Sequence, residues 1–135
     1  MKTYTLAVLC AVTGVVALAI AALLAVSGYA WLYPPTPPSE LHQSLTEART
    51  MLRHPPGDRN TGWSNGLYHH FESAQNSYRR LSESRPLDIT ERIAFDDICK
   101  LRHLYYQALI DDLRLSEVIR PQLIQALDRA LQLFP

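Results

Sequence analysis

Apolar positions along the chain form one continuous run followed by several periodic stretches. From Leu6 to Leu32 the residues are nearly all Leu, Val, Ile and Ala, broken by Cys10, Thr13, Gly14, Ser27, Gly28, Tyr29 and Trp31. A helix needs roughly 20 apolar residues to span hydrocarbon, so this run predicts a transmembrane helix. Tyr4 at one end, and Tyr29, Trp31 and Tyr33 at the other, suit two headgroup zones. The competing reading is a cleaved secretory signal, with Lys2 as its charged segment and Gly28-Tyr29-Ala30 as its cleavage site. Signal cores run only about 7–15 residues, which favours an uncleaved signal-anchor. Ala7, Ala11, Gly14, Ala21, Ala25 and Gly28 follow a heptad-like spacing with Leu18 as the one large member. Such a stripe of small residues lets helices approach closely in lipid, although an Ala-rich run also produces one by chance.

Pro34-Pro35-Thr36-Pro37-Pro38 interrupts the apolar run with a composition that favours extended polyproline II, a stiff spacer over 34–38. Beyond it the periodicity is helical. Leu41, Leu45, Ala48 and Leu52 recur at four, three and four, with Thr36 or Ser39 as N-cap. The stretch from His54 to Gly66 contains prolines, glycines and polar residues and predicts a loop. Leu67, Phe71, Ala74, Tyr78 and Leu81 share the face of a second helix that ends before Arg85-Pro86. A third helix, from Asp88 to Leu115, carries a broad arc through Ala94, Ile98, Leu101, Leu104, Tyr105, Ala108, Leu109 and Leu113. The fourth runs from Glu117 or Pro121 to Phe134, with Leu123, Ile124, Leu127, Ala130, Leu131 and Phe134 on one side. No window alternates with period two. The expected fold is all-α: an anchor over 1–33, the spacer, and a soluble bundle of three to four helices over 39–135.

Charge adds a second division. The 135 residues hold 13 Lys and Arg and 13 Asp and Glu, yet nothing from Thr3 to Ser39 is charged. The remainder is therefore close to neutral, with no basic stripe to displace counterions, which argues against nucleic acid. Lys2 lies on the N-terminal side of the apolar run, and Arg49 and Arg53 lie farther off beside Glu40 and Glu47. The positive-inside rule then places the N-terminus in the cytoplasm and residues 34–135 outside it. With Cys10 in a bilayer, Cys10 and Cys99 cannot pair within one chain.

Candidate chemistry is sparse. Cys99 and His103 stand at i, i+4 with Asp96 one turn earlier, a spacing that could direct metal ligands together, and His69, His70 and Glu72 could complete a set. The helical wheel puts Asp96, Cys99 and His103 on the polar side of their helix, so a solvated or interface-facing surface is the stronger reading. There is no C-x-x-C-H, G-x-S-x-G, glycine-rich phosphate loop or H-E-x-x-H. Neighbours in Asp96-Asp97 and Asp111-Asp112 diverge by about 100° on a helix and cannot converge on one substrate atom. Asp112 falls within the apolar arc, where it should meet an arginine, end the buried segment, or face a partner. Gly62, Ala74, Tyr78 and Pro86 match separations within one tetratricopeptide unit, but Asp58, Thr61, Asn65 and Leu81 depart from that pattern and the chain is not assigned to it.

Arg59, Asn60 and Trp63 lie in the expected loop, where tryptophan either contacts a partner or folds back over the core. The sequence thus predicts a non-catalytic, single-pass membrane protein without cofactor. Its expected role is that of an accessory, assembly or scaffold subunit contacting other membrane subunits and lipid, with Trp63, Arg59 and Asp112 as candidate contacts. The alternative is a helical binding module, anchored or secreted, for a peptide or small ligand; a metal-binding enzyme component ranks below both.

Overall fold

In a computed structural model of the full chain, the residues described are 12–25, 28, 36–57 and 61–135. They are helical throughout, with short connections and no strand. The chain divides into two compact units, Met1–Pro35 and Thr36–Pro135.

In the first unit residues 12–25 form helix α1, whose side chains are exposed, Val15 and Leu18 at 67% and 74%. Among the described residues no helix is long and apolar enough to cross a membrane. This corrects the expected transmembrane helix over Leu6–Leu32. The signal-anchor, the single-pass membrane location, and the cytoplasmic N-terminus with an extracytoplasmic 34–135 fall with it, since each was inferred from that span.

The second unit is a four-helix bundle: α2 (Pro37–Arg53), α3 (Thr61–Ser84), α4 (Ile89–Asp111) and α5 (Leu113–Leu133). Pro37 and Pro38 form the first turn of α2, where proline loses no intrahelical bond and its fixed φ suits the helix. Thr36 is the N-cap residue, and the Ser39 hydroxyl donates to its carbonyl at 2.9 Å. Leu41, Leu45, Ala48 and Leu52 are fully buried, as their spacing predicts. Helix α3 begins at Thr61, so the expected loop over 54–66 contracts and Trp63 and Gly66 become helical. Gly66 faces Met51 of α2, which would lie 3.3 Å from a Cβ placed there.

Asp88 starts α4 with a capping box. Its side chain accepts from the start of the helix, and Glu91 accepts from the Asp88 N–H at 2.9 Å. The expected third helix divides at Asp112, an extended residue that ends α4 and starts α5. Its carboxylate accepts from the N–H groups of Arg114 and Leu115 at 3.0 and 3.4 Å. Helix α5 continues through Pro121. An interior proline opposes a helix by about 3 kcal/mol. Burial of Ser116, Ile119, Leu123 and Leu127 on either side of it offsets that cost.

Side-chain size sets how closely these helices approach. Small residues line the α2–α3 contact, where Ser44 donates to Ser73 at 2.9 Å and Ala48, Ala74 and Ser77 are buried. Helices α2 and α5 also pack directly, as do α4 and α5. The Cα traces of α3 and α4 stay more than 8 Å apart, and aromatic rings fill the space between them. Tyr78 stacks on Phe95 with centroids 3.8 Å apart, and Phe71 and Tyr68 meet the edge or face of Tyr106 at 6.5 and 6.1 Å. Polar pairs fix the direction of each neighbour. Ser44–Ser73 and Glu47–His70 run α2 antiparallel to α3, and Arg49–Asp128 with His42–Phe134 run α2 antiparallel to α5.

Candidate functional site

The residues proposed for metal chemistry are not brought together. Asp96 is paired with Lys100 at 2.7 Å, His103 is exposed, and Cys99 is half-buried against the aromatic seam. On α3, His70 meets Glu47 of α2 at 2.7 Å, while His69 stays near Glu72 on its own helix at 3.9 Å. Burial pushes the Cys99 thiol above its ordinary pKa, opposed in part by the Arg102 charge. A neutral thiol is a poor nucleophile and a poor metal ligand. Among the described residues no three His, Cys, Asp or Glu side chains are grouped to hold a metal ion.

The remaining sequence-derived candidates divide in the same way. Ala7, Ala11 and Arg59 lie outside the described residues. Gly14 and Gly28 have open space around a notional Cβ, and Ala21 and Ala25 are exposed. Trp63 is half-buried on α3 and packs against the core. Asp112 is exposed at the corner, where it ends α4 and caps α5.

A different surface stands out. Of the large apolar side chains left exposed in residues 36–135, all but Tyr68 belong to α4, α5 or the corner between them. Ile89 and Ile93 are 62% and 56% exposed at the start of α4, with Leu104 farther along; Val118 is 60% exposed on α5. Ile93, Ala94 and Asp97 of α4 and Ala126, Arg129 and Leu133 of α5 line an open cleft of about 220 Å³ on the outside of the bundle. Helical spacing carries the same groove toward Leu104 and Val118, which sit on the sides of α4 and α5 that flank it. The floor is apolar, and the charges at its rim are of both signs, Asp97 on one helix and Arg129 on the other.

Sequence reasoning missed this face because Ile89 and Ile93 fall just off the arc that defines the core side of α4. Two isoleucines four residues apart on an otherwise polar face were the available signal. A second groove lies along the aromatic seam, with an opening of about 420 Å³ lined by Gln75, Asn76, Tyr78, Arg79, Ser82, Phe95 and Cys99.

Comparison with known proteins adds no relative: no protein-family model, curated protein or solved structure matches the chain.

Proposed function

We propose that residues 36–135 are a non-catalytic protein-interaction domain, acting as an accessory, assembly or scaffold part of a larger complex. The observation that carries this reading is the one-sided distribution of exposed Ile, Leu and Val on α4 and α5. Isolated exposed apolar residues are ordinary, but a set gathered along one helix pair is what a protein contact uses. The partners are other protein subunits. Nucleic acid does not fit a groove whose rim carries an anion and a cation in equal number.

The test is the size of the particle that holds the full chain in a gentle native extract. The wild type should elute well above its own mass, and Val118→Asp should shift it toward that mass while the helical circular dichroism is kept. A wild-type chain that elutes alone would overturn the reading. The seam groove supports a second reading, a binding module for a peptide or small ligand. Its volume falls in the range of ligand sites, and the Tyr78–Phe95 stack offers an aromatic wall. Under that reading Tyr78→Ala, and not Val118→Asp, abolishes binding.

A further inference from the structure

Granting that the outer α4–α5 groove is a contact face, we infer that its occupant is a second copy of this chain, seated as an isologous dimer. The argument rests on the order of residues along the groove. Because α4 and α5 are antiparallel, Ile93 lies level with Leu133 and Asp97 with Arg129. A two-fold axis running along the groove lays α4 of one copy over α5 of the other at the same level. Ile93 then faces Leu133 of the second copy, and Asp97 faces Arg129. Each contact occurs twice, as an isologous interface requires.

Charge supports the same occupant. Asp97 and Arg129 make no ion pair among the described residues, so both are available to a partner. One anion and one cation at the same level cannot select a partner of a single sign, but they satisfy a copy of themselves. The chain as a whole is neutral, with 13 basic and 13 acidic residues, so two copies approach without net repulsion.

Light scattering on the purified full chain at micromolar concentration tests this. The wild type should show twice the chain mass. Asp97→Arg and Arg129→Asp each place like charges opposite one another in both halves of the interface, and each should weaken the dimer by roughly tenfold or more. An equal mixture of the two variants should dimerise again, because each then supplies what the other lacks. Circular dichroism separates loss of association from loss of fold, since both side chains lie at the groove rim. A monomeric wild type overturns the inference, as does a dimer that both single variants leave intact. If the purified chain is monomeric but still elutes in a large particle from extract that Val118→Asp disperses, the interaction reading stands and the second copy is the wrong occupant. A monomer under both conditions removes both.

Discussion

The guanidinium of Arg120 on α5 donates to the carbonyl oxygen of Leu52 at 3.0 Å, closing the last turn of α2 from the neighbouring helix. The opposite end of the same helix pair is tied in the reverse sense: Nδ1 of His42 on α2 lies 2.8 Å from the Phe134 carbonyl that follows α5. A carbonyl only accepts, so that ring nitrogen carries the proton. The last four carbonyls of a helix have no partner within it. Here each of two antiparallel helices supplies a donor to the C-terminal end of the other.

Arg120 should therefore matter to stability beyond its charge. It is 24% exposed and also donates to Glu117 at 2.9 Å. Arg120→Met keeps much of the aliphatic stem and removes the donors, and should lower unfolding free energy by about 1–3 kcal/mol. Urea denaturation measures this. A loss no larger than that of Glu117→Gln would show that the Leu52 carbonyl gains nothing from the contact.

The turn between α3 and α4 carries an acid-sensitive clasp. Arg85 donates twice to the buried Glu91 carboxylate, at 2.7 and 3.0 Å, and the Asp88 N–H donates a third bond at 2.9 Å. The Arg85 hydrogen bonds hold the Glu91 pKa below its ordinary 4.5, against the opposing effect of burial. Asp88 is lowered as well, first by the Thr90 hydroxyl and then by the Ile89 N–H. Both groups bind protons less readily when folded, so their contribution is complete above the unfolded pKa. It disappears as pH falls through the lowered folded values. Denaturation midpoints should drop steeply below about pH 4.5, and Glu91→Gln should flatten that slope while costing about 1–2 kcal/mol near neutrality.

Tyr106 makes the opposite prediction. Its ring packs among Tyr68, Phe71 and Tyr105, but its hydroxyl is buried with no hydrogen-bond partner among the described residues. Burial pushes the phenol pKa well above its ordinary value. Tyr106→Phe removes an unsatisfied polar atom and keeps the ring, so thermal stability should stay level or rise by up to about 1 kcal/mol. A clear loss would reveal a partner for that hydroxyl.

Much of the bundle was legible in the sequence because its core positions repeat. Leu41, Leu45, Ala48 and Leu52 share one stripe, as do Leu67, Phe71, Ala74 and Leu81, and all are buried. What periodicity could not locate was where helices stop. Leu113 and Leu115 continue an apolar pattern past Asp112, so the corner was hidden inside an apparent single helix; both are in fact exposed. Gly62 and Gly66 read as loop residues, yet α3 includes them, and at Gly66 the missing Cβ leaves room for Met51. The outer groove and the Arg120–Leu52 contact depend on which helices become neighbours, and no local pattern encodes that. The apolar run at the N-terminus misled in another way. It predicts a membrane span, yet among the described residues no helix is long and apolar enough to be one.

Asp112 offers a direct check on the corner. Asp112→Ala deletes the side-chain acceptor for Arg114 and Leu115 and should destabilise by about 1 kcal/mol, whereas Asp112→Asn should retain most of the cap. Chemical denaturation of the two variants side by side reads the difference. Equal losses would mean that the carboxylate charge, not its geometry, is what the corner uses.

The wide spacing of α3 and α4 gives the domain a weak side. Three of its four walls are made by backbones in close approach, while the fourth is held by ring contacts and by Arg102 of α4, which reaches Gln75 and the Phe71 ring of α3. Residues 36–135 are thus built like a book: α2 and α5 form the spine, and the α2–α3 and α4–α5 hairpins are covers that meet over Tyr78, Phe95 and Tyr106. Partial opening would part the covers before it bends the spine, so amide protons of α3 and α4 should exchange sooner than those of α2. Cys99, set in that seam, is placed to report the opening through its accessibility to thiol reagents.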